Sequence, residues 1–154
     1  MKQFLLPLFF LLSLYLLSCA KKNDDSFSAA FIGAWSVQGE LRSVATDTPL
    51  DSLNPARFSL ELSEQEQGVI RTDQYERPLN WRLTEDAQSI VLTGTGIDPA
   101  TGFSYGDSSL QTVIYNILYQ TTLGGEWTSS KQYPVIDTSG ATIPCRVHLF
   151  VAPR

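Results

Sequence analysis

The chain is poor in the residues from which catalytic and metal sites are usually built. Its 154 residues include a single histidine, His148, and only 2 cysteines, Cys19 and Cys145. A transition-metal site made of several histidines is therefore excluded. Gly124-Gly125 lacks the strand-to-helix context of a phosphate-binding loop. We predict a protein that is not an enzyme and needs no cofactor or metal.

Basic residues are also few, with 11 Lys and Arg against 16 Asp and Glu and a net charge of -5. The arginines stand singly among carboxylates, whereas a phosphate-binding surface needs clustered positive charge. We therefore predict no nucleic-acid partner. An acidic surface also repels anionic lipid headgroups, so any membrane affinity must come from an attached lipid.

Long apolar runs are absent except for Phe4 to Leu17, which follows the positive charge of Lys2. This run is shorter than the roughly 20 residues that a spanning helix needs, so we interpret it as a signal-peptide core. Leu16-Leu17-Ser18-Cys19 comes directly after it and resembles the lipobox of bacterial lipoproteins. The resemblance implies that Cys19 carries lipid and anchors the chain in the cell envelope. Ordinary secretion, with Cys19 discarded, is the alternative.

After Cys19 the chain is polar and charged as far as Ser26, which is typical of a flexible tether. A lysine followed by acidic residues at this place also resembles the surface-export signals of Bacteroidetes lipoproteins. We predict a signal peptide over residues 1–18, a lipidated tether over 19–29 and one domain over 30–154. The predicted location is the outer membrane, on its periplasmic or its outer surface.

From residue 31 onward, β-branched and aromatic residues alternate with polar ones, which predicts strands. A short helical turn is predicted at Ser26 to Ile32, and Gln132 to Thr142 is predicted to be a loop. Apolar residues occur on both parities of Leu110 to Gln120, so we predict that both faces of that strand are covered. About eight strands are predicted, near 31–44, 57–62, 68–75, 79–84, 90–92, 110–120, 123–129 and 143–152.

These strands predict an all-β domain, because many sequential antiparallel strands must close into a barrel or stack as a sandwich. Cys145 shares its parity with Val147, Leu149 and Val151. That parity predicts a buried, unreactive thiol, since a reactive cysteine needs exposure and nearby positive charge.

Gly33-Ala34-Trp35 enters the first long strand after the predicted helical turn. Together with the all-β pattern, this motif resembles the lipocalin-like lipoproteins of Bacteroidetes, within the calycin group. The resemblance implies a barrel whose closed end is covered by Trp35, with an arginine of the last strand packed across it. Arg146 is the best match for that arginine. The alternative is that Trp35 is an ordinary core residue.

A barrel of about eight strands can hold a modest guest, so we predict a small hydrophobic molecule or lipid as the ligand. The long connection from Gly94 to Asp107 carries Phe103 and Tyr105, which would act as a lid or contact surface. A plain turn whose aromatic residues fold back onto the core is the alternative. The candidate ligand contacts are Phe58, Leu60, Trp81, Ile90, Phe103, Tyr105 and Tyr115.

A second class of function stays open at this point, namely an interaction module that docks a protein or glycan partner. It predicts an exposed aromatic patch near Phe103, Tyr105, Trp127 and Tyr133. Asp98 and Asp107 flank the same connection, but two carboxylates without further spaced ligands do not make a calcium loop.

Overall fold

The computed structural model describes residues 27–50, 56–96, 109–137 and 139–154. A short helical turn at Phe27 and Ser28 comes first, and the N–H of Ala30 donates to the carbonyl oxygen of Phe27 at 3.1 Å. No helix in these ranges has the length and apolar character needed to cross a membrane. The strands that follow are β1 Gly33–Ser43, β2 Ala56–Leu62, β3 Gln67–Arg71, β4 Glu76–Leu83, β5 Ser89–Thr95, β6 Leu110–Thr121, β7 Gly124–Ile136 and β8 Thr142–Pro153.

The eight strands form one closed barrel in chain order. Each strand pairs antiparallel with the next, and β8 closes the barrel by pairing with β1. The predicted all-β antiparallel barrel is therefore confirmed, and the β-sandwich alternative is wrong. Because the first strand pairs with the last, the sheet that these eight strands form has no free edge of the kind that promotes aggregation.

Alternating burial along the strands separates an apolar interior from a polar exterior. In β1, Trp35 and Val37 are buried whereas Ser36 and Gln38 are exposed. Successive side chains of a strand point to opposite faces, so this period of two produces one buried and one solvated face. The core accordingly contains apolar side chains from every strand of the barrel.

Connections of different length gather at the two ends of the barrel, because alternate connections of a meander lie at the same end. The short-turn end carries the connections 63–66, 84–88 and 122–123. The N–H of Ser63 closes the first of them on the carbonyl oxygen of Gln67 at 2.8 Å. Strands β1, β3, β5 and β7 end at the opposite end of the barrel, which we call the long-connection end. Residues 97–108, with Phe103, Tyr105, Asp98 and Asp107, lie outside the described residues.

Strand β7 is longer than predicted, and the predicted loop over Gln132 to Thr142 is wrong in its first part. Thr128 pairs with His148 and Gln132 pairs with Arg146, so β7 has four steps where β8 has two. The hydroxyl of buried Ser129 bridges this bulge, since it donates to the carbonyl oxygen of Lys131 at 2.8 Å and accepts from the N–H of Val147 at 3.0 Å. The bulge lets β7 continue to Ile136.

The prediction that β6 is covered on both faces is also wrong. Its outward side chains Ile114 and Leu118 are 41% and 55% exposed. A second bulge between Ile117 and Tyr119 shifts the register, and Tyr119 then pairs with outward-facing Glu126. Tyr119 is consequently 54% exposed, although its parity had grouped it with buried Val113 and Tyr115.

Candidate functional site

Aromatic side chains fill the interior at the short-turn end. Phe31 has no exposed surface, and its ring centroid lies 5.8 Å from that of Trp127 and 6.2 Å from that of Trp81. Tyr115 extends the group, with its centroid 6.2 Å from that of Trp127. Tilted and offset ring pairs at these distances attract each other beyond the effect of burial alone. We call Phe31, Trp81, Tyr115 and Trp127 the aromatic plug.

Hydrogen bonds hold the three buried tryptophans in place. The indole N–H of Trp35 donates to the carbonyl oxygen of Phe31 at 2.7 Å. Those of Trp81 and Trp127 donate to Ser63 O at 3.0 Å and to Gln120 Oε1 at 2.9 Å. A buried indole N–H without a partner would be costly, so these contacts fix each ring at this end.

The candidate ligand contacts that the structure describes all face the interior, as their parity predicts. Phe58, Leu60, Trp81, Ile90 and Tyr115 are between 0% and 6% exposed. They differ, however, in height, by which we mean position along the barrel axis. Trp81 and Tyr115 belong to the aromatic plug, while Leu60 pairs with Trp35 and Ile90 with Tyr115. Phe58 is the one member of this described group that lies nearer the long-connection end.

The predicted pair of Trp35 and Arg146 is not formed. In the β1–β8 ladder Trp35 faces Pro153, whereas Arg146 faces Arg42, seven positions further along β1. That separation is roughly 23 Å at the usual rise of a strand. Because β8 runs antiparallel to β1, its last residues and not its first lie beside Trp35. The arginine near Trp35 is Arg154, whose backbone N–H donates to Ala34 O at 3.0 Å.

The exposed aromatic patch predicted for an interaction module is likewise not formed by its described members. Trp127 has no exposed surface because it belongs to the aromatic plug. Tyr133 is half-buried and pairs with inward-facing Cys145, and Lys131 Nζ lies 5.0 Å from its ring centroid. Parity could have shown that Trp127 faces inward with Leu149, its partner on β8.

Small residues replace large ones on the interior surface toward the long-connection end. Gly39 and Gly94 occupy inward positions of β1 and β5, and Ser43 pairs with Cys145. The thiol of Cys145 is buried, and burial raises its pKa. Inward positions 39, 43, 94 and 145 therefore carry small side chains or none, although Leu41 and Tyr133 also face inward toward this end. Sequence analysis missed this gradient because it depends on the height of each residue in the barrel.

His148 lies on the outer face of β8, opposite in parity to Cys145, so the two cannot form a dyad. Its ring nitrogens lie 3.2 Å from Thr128 Oγ1 and 3.5 Å from a carboxylate oxygen of Glu126. Asp47 approaches at 3.6 Å. Among the described residues no group of three or more His, Cys, Asp or Glu has the arrangement of a metal site.

Comparison with known proteins adds no family to this picture. No protein-family model matches the chain, and no curated protein matches it. The fold defines the class of protein, a closed eight-stranded antiparallel barrel. Its function must be inferred from the barrel itself.

Proposed function

We propose that this chain is a non-enzymatic lipoprotein of the cell envelope whose barrel binds a small hydrophobic molecule or lipid. The observation that carries the binding proposal is the difference between the two halves of the interior. The aromatic plug closes the short-turn end, whereas the inward positions 39 and 94, toward the long-connection end, are glycines without side chains. A closed barrel with one packed and one less crowded end is suited to hold a guest.

The barrel is consistent with the lipocalin-like fold that the Gly33-Ala34-Trp35 motif suggested. We therefore revise the set of residues that we propose as ligand contacts. Phe58, Ile70 and Val113 are buried and inward-facing, and each lies nearer the long-connection end of its own strand, so we propose that the ligand contacts them. Leu60, Trp81, Ile90 and Tyr115 support the floor beneath it. Phe103 and Tyr105 remain proposed lid residues.

The anchoring part of the proposal depends on the first residues of the sequence. The short apolar run and the lipobox ending at Cys19 support a lipid anchor, since an acidic chain has little other affinity for a bilayer. Outer-membrane attachment, on either face, is the location we propose.

Neighbouring positions on β6 offer a matched test of the interior site. Val113 faces inward and is 3% exposed, whereas Thr112 faces outward and contacts Thr93. Val113→Phe should abolish binding of a hydrophobic fluorescent probe such as cis-parinaric acid, because it fills the proposed site. Thr112→Phe should leave probe binding unchanged. Thermal unfolding of both variants shows whether the barrel is intact.

Native mass spectrometry of the protein purified gently from its own host supplies the complementary result. A co-purifying small hydrophobic molecule that is lost from Val113→Phe would support the proposal. A clean protein mass, together with no probe binding by the wild type, would count against an interior site.

A further inference from the structure

An open groove with a volume of about 720 Å³ lies on the outside of the barrel. This volume is within the usual range of small-molecule sites. Outward residues of β8, β1, β2 and β3 supply most of its lining, and inward Val37, Phe58 and Val151 also contribute. The residues that matter for its chemistry are Ser36, Gln38, Arg57, Ser59, Phe150 and Arg154.

Strand pairing brings these side chains together in two rows. Gln38 is the register partner of Arg57 on one side and of Phe150 on the other. One step along, Ser36 pairs with Ser59 and with Ala152. The small side chains of the second row form a low floor, and the larger ones of the first row form a wall. The groove therefore combines hydroxyls, an amide, an aromatic ring and guanidinium groups.

The arginines of this groove differ in how far they are neutralised. Arg71 donates to Glu61 at 2.6 Å and to Glu76 at 2.7 Å, and these two carboxylates more than balance its charge. Arg154 donates to the hydroxyl of Ser59 at 3.3 Å. Arg57 forms no ion pair or side-chain hydrogen bond with any part of the chain that the structure describes. One carboxylate, that of Asp73, also lines the groove.

We propose that this groove binds a small carboxylate that also carries hydroxyl groups, the chemistry of a uronic acid. The carboxylate is held by the guanidinium of Arg57, with Arg154 at the other end of the floor. A guanidinium presents paired N–H donors that match a carboxylate. Ser36 and Gln38 contact the hydroxyls of the sugar, and Phe150 packs against the apolar face of its ring.

Charge favours an acidic ligand here over other places on the surface. The whole chain carries a net charge of -5, so most of its surface repels anions. Arg57 and Arg154 place two guanidinium groups without an ion-pair partner among the described residues in the groove, against Asp73 and the one carboxylate that Glu61 and Glu76 hold in excess of Arg71. Removing the charge of Asp73 should therefore strengthen binding, and removing that of Arg57 should weaken it. This opposite response distinguishes a defined site from nonspecific attraction.

Isothermal titration of the purified protein with glucuronate, glucose and inorganic phosphate tests the proposal. We expect glucuronate to bind at least about tenfold more tightly than glucose, since a charge-assisted hydrogen bond is worth about 1.4 kcal/mol or more. Arg57→Gln should weaken glucuronate binding by about tenfold, and Asp73→Asn should tighten it. Arg82→Gln is the matched control, because this substitution removes the same charge at an exposed position outside the groove.

Each of the other outcomes would overturn the assignment. If glucuronate does not bind at millimolar concentration, the groove is not a site of this kind. Equal losses in Arg57→Gln and Arg82→Gln would mean nonspecific attraction. Phosphate binding as tight as that of glucuronate would refute a role for the hydroxyl contacts. A glucuronide oligomer that binds while the free sugar does not would place the ligand in a longer glycan and refute a monosaccharide site.

Discussion

At the scale of single residues, Phe31 has the largest structural role that the sequence did not reveal. It precedes the first strand, whereas the sequence pattern predicted it both in a short helical turn and at the start of a strand over 31–44. In the barrel its ring lies between Trp81 and Trp127, and its carbonyl oxygen accepts from Trp35. One residue thus connects three tryptophans that belong to β1, β4 and β7.

Phe31→Ala is expected to destabilise the protein by about 3–5 kcal/mol, the usual cost of removing a fully buried aromatic ring. The substitution keeps the carbonyl oxygen that Trp35 uses, so it removes packing and not that hydrogen bond. Chemical denaturation monitored by tryptophan fluorescence measures the change.

Leu123→Ala provides the control for this measurement, because Leu123 is 84% exposed. Its effect should remain within about 0.5 kcal/mol. A similarly small loss in Phe31→Ala would show that the aromatic plug does not stabilise the short-turn end.

At the scale of secondary-structure elements, the bulge of β7 depends on Ser129. Its hydroxyl takes the place of a main-chain partner for both Lys131 and Val147. Ser129→Ala would remove the partner of the buried N–H of Val147 and of the part-buried carbonyl oxygen of Lys131, and we expect a loss of about 2–3 kcal/mol. Thermal or urea unfolding measures it.

Ser130 is the adjacent residue and is exposed, so Ser130→Ala is a close control. We expect it to change stability little. Equal effects at the two positions would mean that the bulge is held by the strand pairing alone.

The strands could be predicted from the sequence because alternation records which side chains meet the core. Bulges could not, since Lys131 and Leu118 have the same kinds of neighbours as residues of a regular strand. After the bulge in β6 the parity of Tyr119 reverses. The exposed outward face of that strand was missed for another reason, because apolar Ile114 and Leu118 were taken to indicate burial.

The candidate site was predictable only in part, for a related reason. Parity assigns Phe58, Leu60 and Trp81 to the interior correctly, but it does not give their height in the barrel. Height follows from the register between strands, which also separates Trp35 from Arg146. The outer groove combines residues of β8, β1, β2 and β3 that are far apart in the sequence, so no local motif reveals it.

At the scale of the whole molecule, the barrel has a packed apolar interior and an acidic, mostly polar exterior. A net charge of -5 gives it no attraction to anionic headgroups. The proposed membrane attachment would then depend on a covalent lipid, for which Cys19 is the proposed site. Buried Cys145, the second cysteine of the sequence, is unsuited to that role.

Cys19→Ser should therefore release the protein from the membrane fraction of its host. Each buried CH₂ of an attached acyl chain contributes about 0.8 kcal/mol, so loss of the lipid removes nearly all membrane affinity. Labelled palmitate should be incorporated into the wild type and into Cys145→Ala, but not into Cys19→Ser. If Cys19→Ser stays with the membranes after a high-salt wash, another part of the chain is the anchor. A soluble wild type whose first residue lies beyond Cys19 would instead establish ordinary secretion.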